Sequence, residues 1–206
     1  MPDSGQRLNF QRWVFFLAES PQNTLKMKDF SQLNSQFNWT VTYRLDSDIV
    51  FRYGTIERIP VSQQHVATSW HTPPSATDGR NRNRKRLVAW FVSNCHTASR
   101  REEYVREMRK YVPVDVYGKC GDLSCPRASN ICDRLLDNSY MFTLAFENSL
   151  CRDYVTEKLF LSLKRNSVLV VMGNANYSCI APPNSYIDVA DFASPKDLAD
   201  YLVYLR

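Results

Sequence analysis

Glycine and histidine are scarce in this sequence, and the motifs built on them are missing. Its 206 residues include six glycines, which form neither a GxGxxG turn nor a P-loop, and three histidines, which form no HExxH pair. A GxSxG nucleophile elbow is absent as well. These absences argue against a dinucleotide-dependent oxidoreductase, a P-loop kinase and a zinc protease.

Long apolar runs are also lacking. No stretch approaches the about 18 to 20 apolar residues of a membrane span. The residues after Met1 show neither the basic region nor the apolar segment of a signal peptide. Taken alone, these features are typical of a soluble, cytosolic chain.

The six cysteines lack the paired CxxC spacing of a zinc site, and few histidines are available to complete one. We therefore predict disulfides rather than a bound metal. Two Asn-X-Ser/Thr triplets, beginning at Asn38 and Asn176, are candidate N-glycosylation sites. They are compatible with a location in the secretory pathway.

The net charge of +5 is concentrated in a short basic run. Like-charge runs are usually solvated, so residues 80–86 are predicted to form a basic linker. A nucleic-acid interface is the alternative, but it would need aromatic platforms or a recognition helix beside the run, and an apolar strand follows instead. We expect no nucleic-acid partner. The run consists of Arg80, Arg82, Arg84, Lys85 and Arg86.

The residues that are present, 44% hydrophobic and 13% aromatic, suffice for a buried core. In the second half, apolar runs alternate with helical patterns, and Ser99 with Glu102 predicts a capping box at one helix start. This alternation is typical of an α/β fold with a mainly parallel sheet. The predicted strands are 87–92, 112–117, 141–146 and 167–172, and a helix is predicted over 156–164.

Polar residues follow three of these strands, at 93–95, 147–149 and 173–175, where ligands bind in such sheets. The segment 146–158 enters a helix start, whose free N–H groups together with Lys158 suit a diphosphate. Arg100 or Arg101 offers a second cation for phosphate oxygens, and Arg101 is predicted to face solvent. Ordinary surface charge at a helix start is the alternative interpretation.

Three sequence blocks are more specific. Their order and spacing resemble the signature blocks of eukaryotic alpha-1,3-fucosyltransferases, and the resemblance extends over nearly the whole chain. The blocks are Trp90-Phe91-Val92-Ser93-Asn94-Cys95, Tyr117-Gly118-Lys119-Cys120-Gly121, and Leu144-Ala145-Phe146-Glu147-Asn148-Ser149 with Asp153-Tyr154-Val155-Thr156-Glu157-Lys158.

The resemblance implies a GT-B-like architecture of two Rossmann-like lobes. Residues 1–79 would form a partial acceptor-side lobe, and residues 87–206 a lobe that binds GDP-fucose. The implied reaction is inverting transfer of fucose from GDP-fucose to N-acetylglucosamine in glycans of glycoproteins or glycolipids. Family members are type II membrane proteins whose catalytic domain lies in the Golgi lumen. By this comparison the chain is shortened at both ends and lacks the anchor, so a non-catalytic form that binds nucleotide sugar or glycan without turnover is the alternative.

The resemblance also assigns site residues. Glu19 falls on the position of the catalytic base, and an inverting transfer needs such a carboxylate. No metal is required, so Asp46-Ser47-Asp48, although similar to a metal-binding DxD motif, is predicted to serve a structural turn. The implied donor-binding residues are Arg100, Glu147, Asn148, Tyr154, Glu157 and Lys158.

Overall fold

The computed structural model of the chain describes residues 7–24, 30, 33–60, 84–126 and 130–206. Within these ranges the strands form two parallel sheets. The first sheet has three strands in the order β1-β2-β3, which are β1 Val14–Leu17, β2 Trp39–Thr42 and β3 Ile49–Val50. The second has five strands in the order β5-β4-β6-β7-β8, which are β4 Arg86–Phe91, β5 Val114–Tyr117, β6 Tyr140–Phe146, β7 Val168–Met172 and β8 Tyr186–Asp188.

Helices cover both faces of the second sheet. Met108 of α2 (Arg101–Met108) and Leu198 of α5 (Pro195–Tyr204) share one core cluster with β4 and β6. Leu159 of α4 (Glu157–Ser162) packs with Leu169 and Val171 of β7 in another. No helix of the described ranges is long and apolar enough to span a membrane. The described helices are α1 Pro21–Thr24, α2 Arg101–Met108, α3 Ile131–Ser139, α4 Glu157–Ser162 and α5 Pro195–Tyr204.

The continuous apolar runs of the second half correspond to strands buried on both faces. All seven residues of β6 are buried, as expected of a parallel strand with neighbours on both sides and helices above and below. All four predicted strands and the predicted helix at 156–164 are confirmed, and no end differs by more than two residues.

The carboxyl ends of β4, β5, β6 and β7 meet at one edge of the second sheet. Trp90 is in register with both Val116 and Leu144, and Phe146 is in register with Met172. The polar segments that follow these strands therefore lie along a common edge, as the sequence predicted.

Some elements differ from the sequence predictions. Helices α1 and α3, the three strands of the first sheet and strand β8 were not predicted. The capping box at Ser99 was wrong, because the Ser99 hydroxyl donates to the carbonyl oxygen of Glu147 at 2.7 Å. The Glu102 carboxylate instead accepts from the backbone N–H of Thr97 at 2.6 Å, and α2 begins after Arg100.

Disulfides join the loops at the carboxyl edge, which confirms that part of the cysteine prediction. Cys95 after β4 is bonded to Cys120 after β5, and Cys125 is bonded to Cys132 in the first turn of α3. In the described part of the chain Cys151 and Cys179 are free thiols. The two bridges tie the segment between β5 and α3 to the sheet and to itself.

The end of the predicted basic linker belongs to the folded second half. Residues 80–83 lie outside the described ranges, but Arg86 is already the first residue of β4 and pairs with Asp115 at 2.8 Å. Arg84 donates to the carbonyl oxygen of Asn166 at 2.8 Å. These two arginines are therefore bound to the second sheet and its connections.

Candidate active site

A crevice with a volume of about 530 Å³ lies at the carboxyl edge of the second sheet. We call it the strand-end crevice. It receives one residue from the loop after β1 and the remainder from the last residues of β4 and β5 and from the loops and helix starts that follow β4, β5 and β6. Its polar side chains include Glu19, Asn94, Arg101, Asn148, Glu157 and Lys158.

Glu19 is brought to this crevice by contacts between the two sheets. Ser20 is buried, and its hydroxyl lies 2.7 Å from that of Ser149, which follows β6. One oxygen of the exposed Glu19 carboxylate accepts from the Tyr154 hydroxyl at 3.2 Å and from the Asn23 side-chain amide at 3.0 Å. The carboxylate is thus oriented by two donors and remains accessible from the crevice.

Tyr154, which follows β6, contacts residues of the first half of the chain. Its ring is buried and packs edge-on against Tyr43 of the first half, with ring centroids 4.8 Å apart. Burial, followed by the nearby Glu19 carboxylate, raises the pKa of Tyr154. The phenol therefore stays protonated at neutral pH and serves as a hydrogen-bond donor to Glu19.

Lys158 is held in place by a buried carboxylate. Glu147 is only 1% exposed, and it accepts from the Thr156 backbone N–H at 2.8 Å and from Lys158 Nζ at 3.2 Å. Burial raises the pKa of Glu147, although Lys158 and the Thr156 donors act in the opposite direction. Lys158 lines the crevice, whereas Glu147 is buried and is not among the lining residues in the described part of the chain. The donor-binding role of Glu147 stays a prediction.

Arg101 differs most from its predicted position. Its residue exposure is 4%, and its guanidinium donates to the carbonyl oxygens of Phe146 at 2.6 Å and Asn94 at 3.2 Å. The prediction that Arg101 faces solvent was therefore wrong. Arg100 adopts a left-handed conformation with φ 55° just before α2, so the next residue is the one that turns inward.

Arg101 and Asn148 carry unused hydrogen-bonding capacity in the crevice wall. Within the described residues, Arg101 Nε and Asn148 Oδ1 are buried and have no hydrogen-bond partner. Arg101 also has no ion pair within the described ranges, and burial lowers its pKa without removing the charge of a guanidinium. Buried polar groups are normally satisfied, so this pair indicates a ligand that accepts from one and donates to the other.

The remaining predicted donor residues lie differently. Glu157 lines the crevice beside Lys158, with 3.5 Å between Glu157 Oε1 and Lys158 Nζ. The Arg100 side chain is 74% exposed and pairs with Glu103, and it is not among the residues that line the crevice in the described part of the chain. Its donor-binding role stays a prediction.

The carboxylates of the DxD-like segment serve local structure. Asp46 pairs with Arg44, and one Asp48 oxygen accepts from the backbone N–H and the hydroxyl of Thr40, each at 2.8 Å. Over the ranges that the structure describes, no group of three or more His, Cys, Asp or Glu side chains is arranged to hold a metal ion.

Both glycosylation candidates lie on the surface. Asn38 is exposed, but its side-chain oxygen accepts from the Trp13 backbone N–H at 2.9 Å. Asn176 is exposed and accepts from the Ser178 hydroxyl at 2.6 Å. Glycosylation at either position stays a prediction.

Solved structures with a similar fold are alpha-1,3-fucosyltransferases. A crystal structure of alpha1,3-fucosyltransferase matches with a TM-score of 0.60 at 18% identity, covering 94% of this chain and 61% of that one. A second, with GDP-fucose, matches with a TM-score of 0.60 at 19% identity, covering 94% of this chain and 62% of that one. At this identity the likeness speaks for the fold, and it confirms the predicted GT-B-like α/β architecture.

Sequence comparison gives closer relatives. Alpha-(1,3)-fucosyltransferase C of Drosophila melanogaster is 43% identical over 98% of this chain and 49% of that protein. A 3-galactosyl-N-acetylglucosaminide 4-alpha-L-fucosyltransferase of Bos taurus is 42% identical over 95% of this chain and 49% of that protein. The chain thus spans about half the length of these relatives.

Family models match both halves. The model "Fucosyltransferase, N-terminal" matches residues 1–54, and "Glycosyltransferase family 10 (fucosyltransferase) C-term" matches residues 81–206. With more than half of its residues in the second match and relatives above 40% identity along nearly its whole length, the chain belongs to glycosyltransferase family 10, the fucosyltransferases.

Proposed function

We propose that this chain is the catalytic part of an alpha-1,3-fucosyltransferase that moves fucose from GDP-fucose to an N-acetylglucosamine hydroxyl of a glycan. One observation carries the proposal. An exposed carboxylate, Glu19, lines the same crevice as Lys158 and the buried Arg101, whose Nε has no hydrogen-bond partner in the described ranges. The names of the relatives and of the structure with GDP-fucose support the choice of substrate.

In the proposed reaction the acceptor hydroxyl oxygen forms a bond to C1 of fucose as the bond from C1 to the β-phosphate oxygen breaks. Glu19 takes the hydroxyl proton, and the electron pair of the broken bond leaves with GDP. Attack from the face opposite the leaving group inverts the anomeric centre. Negative charge grows on the diphosphate in the transition state, so cations fixed beside it lower the barrier.

Each donor contact has a proposed role. Arg101 and Lys158 contact the diphosphate, and Glu147 holds Lys158 in place. Asn148 accepts a hydrogen bond from a hydroxyl of GDP-fucose or donates one to its phosphate. Glu157 accepts hydrogen bonds from ribose or fucose hydroxyls. Tyr154 acts through Glu19, and Arg100 contributes only if its exposed side chain turns back when the donor binds.

The proposed organisation follows the two sheets. Residues 1–79 supply the acceptor side with Glu19, and residues 87–206 supply the donor side. We place the enzyme in the Golgi lumen, because the two disulfides fit an oxidising compartment.

A transfer assay combined with calorimetry tests the proposal. GDP-fucose is offered with an N-glycan core and with an N-acetyllactosamine acceptor, and GDP binding is measured on the same protein. Fucosylated product with inverted configuration is the expected result. Binding of GDP without product would select the non-catalytic alternative, and absence of both would overturn the proposal.

Fucose transfer is expected to survive chelation. Cations and a helix start surround the proposed diphosphate position. The carboxylates of Asp46 and Asp48 accept hydrogen bonds from Arg44 and Thr40 instead. Initial rates with and without EDTA should agree within about twofold, because in the proposed mechanism fixed cations take the place that a divalent metal has between diphosphate oxygens. The metal-independent mechanism would be contradicted if EDTA abolished transfer and Mn²⁺ restored it in the wild-type chain but not in Asp46→Asn.

Tyr154→Phe separates two roles for this tyrosine. If Tyr154 acts by orienting Glu19, loss of one hydrogen bond to a carboxylate should lower kcat about tenfold and leave GDP affinity unchanged. Transfer kinetics and GDP titration on the same variant measure both. Weaker GDP binding with unchanged kcat would instead favour a direct donor contact, as the sequence resemblance implied.

A further inference from the structure

The strand-end crevice continues into a second cavity of about 330 Å³, which we call the side pocket. Phe91, Cys132, Asp133, Glu157 and Lys158 line both spaces, whereas Arg101 and Asn148 line only the crevice. If the diphosphate lies by Arg101 and Lys158, the shared wall is where the nucleoside would extend. The proposed reaction gives Phe91 and Asp133 on this wall no role, and their position suits recognition of the base.

Phe91 provides a flat apolar surface at this wall. It stands at the end of β4, is 36% exposed, and stacks on Tyr117 with ring centroids 4.6 Å apart and an interplanar angle of 9°. An aromatic ring supported on one face and open to a cavity suits stacking by a nucleobase, a contact that does not depend on base identity. Phe91 therefore accounts for affinity but not for selectivity.

Asp133 provides a fixed carboxylate in the wall of the same two cavities. It lies in the first turn of α3, beside Cys132, whose disulfide to Cys125 restrains the segment. Arg165 donates to Asp133 Oδ1 at 2.7 Å and lies 3.6 Å from Asp137 Oδ2. A carboxylate has about four acceptor sites, so an Asp133 already paired with Arg165 retains capacity for two further donors.

Guanine is the nucleobase that matches such a carboxylate. Its N1–H and its 2-amino group are adjacent donors that point the same way, and a carboxylate accepts from such a pair through its two oxygens. Adenine presents an acceptor at N1, and uracil and cytosine present acceptors beside their donors. The same carboxylate would repel those acceptors, which gives selectivity in addition to affinity.

We infer that Phe91 and Asp133 form the base-recognition end of the site, with Phe91 stacking on the nucleobase and Asp133 selecting guanine through N1–H and the 2-amino group. The inference rests on the proposed function, because it takes the diphosphate to lie by Arg101 and Lys158. It makes Asp133 a specificity-determining residue outside the reacting centre.

Inosine diphosphate tests this directly, since it keeps N1–H and lacks the 2-amino group. Calorimetry with GDP and inosine diphosphate is expected to show that the wild-type chain prefers GDP by about tenfold, the value of one hydrogen bond to a charged group. In Asp133→Asn, GDP binding should weaken about tenfold or more, and the two nucleotides should bind within about threefold of each other.

Asp137→Asn is the matched control. It lies on the same helix and also contacts Arg165, but it does not line either cavity within the described residues. We expect it to keep the wild-type ratio of GDP to inosine diphosphate affinity. A second variant, Phe91→Leu, should weaken both nucleotides equally, and thermal unfolding of each variant verifies that it is folded.

The possible results distinguish a failure of the base-recognition role from a failure of the proposed function. GDP binding by the wild-type chain with an unchanged GDP to inosine diphosphate ratio in folded Asp133→Asn would overturn the base-recognition role and leave the proposed function intact. Loss of that ratio in Asp137→Asn as well would also overturn it, because disruption of the Arg165 ion pairs would then explain the effect. Absence of any GDP binding by the wild-type chain would overturn the proposed function and this inference together.

Discussion

Replacement of Glu19 by Gln is expected to remove fucose transfer while GDP affinity stays unchanged. The amide keeps the size of the side chain and its hydrogen bonds to Tyr154 or Asn23, but it cannot take the proton of the acceptor hydroxyl. General-base catalysis is worth about 100-fold to 10,000-fold, so kcat should fall by that factor. Initial-rate kinetics and GDP calorimetry on the purified variant measure the two quantities.

Glu57→Gln is the control for this experiment. Glu57 is an exposed glutamate of the same half of the chain and does not line the strand-end crevice within the described residues. It should transfer fucose at the wild-type rate. Turnover by Glu19→Gln within about tenfold of wild type would mean that another group takes the proton, because loss of a true base exceeds that factor.

Removal of the Arg101 side chain is expected to have the second large effect. Arg101→Ala deletes a buried cation that has no ion pair in the described ranges, and one charge-assisted contact to a departing diphosphate is worth about 2 to 4 kcal/mol in the transition state. Transfer should therefore fall about 30-fold to 1,000-fold, with weaker GDP binding. Transfer kinetics, GDP titration and thermal unfolding are measured together.

Arg100→Ala is the comparison that makes this prediction specific. Arg100 precedes Arg101 directly, is exposed and pairs only with Glu103 among the described contacts, and exposed ion pairs contribute little. Its loss should change transfer by no more than about threefold. Arg101→Lys, which keeps a positive charge and a similar length, should retain more activity than Arg101→Ala. A large loss in Arg100→Ala with normal transfer by Arg101→Ala would restore the prediction made from the sequence and contradict the assignment of Arg101.

The second sheet was readable from the sequence because its strands are buried on both faces. Such strands appear as continuous apolar runs, and β6 from Tyr140 to Phe146 is the clearest example. The first sheet was harder to predict. Its strands have two to four residues, all exposed or half-buried, so β2 at Trp39–Thr42 carries little signal of its own.

Helix α3 was missed because its start carries a disulfide cysteine and lies within a segment rich in turn residues. Its stripe is short, and of its nine residues only Leu136 is buried. A helix of this kind is held by tertiary contacts, here the Cys125–Cys132 bridge and the pairing of Asp133 with Arg165. Neither contact is visible in local periodicity.

The site shows what local patterns can and cannot give. The cluster from Glu147 to Lys158 was predicted together because its members are neighbours in sequence at a strand end. Arg101 turns inward directly after Arg100, which has a left-handed conformation. An arginine at that position does not predict such a conformation. The resemblance pointed to Glu19 as the base; its meeting with Tyr154 depends on contacts between residues 135 positions apart.

In the proposed complex GDP-fucose lies in the strand-end crevice, with its diphosphate between Arg101 and Lys158 and its sugar facing Glu19. A crystal structure of the chain with GDP would show whether the diphosphate occupies this position. We expect phosphate oxygens about 3 Å from Arg101 Nε and Lys158 Nζ, and Asn148 Oδ1 with a donor partner. A diphosphate bound elsewhere, with Arg101 Nε still unpartnered, would contradict this placement.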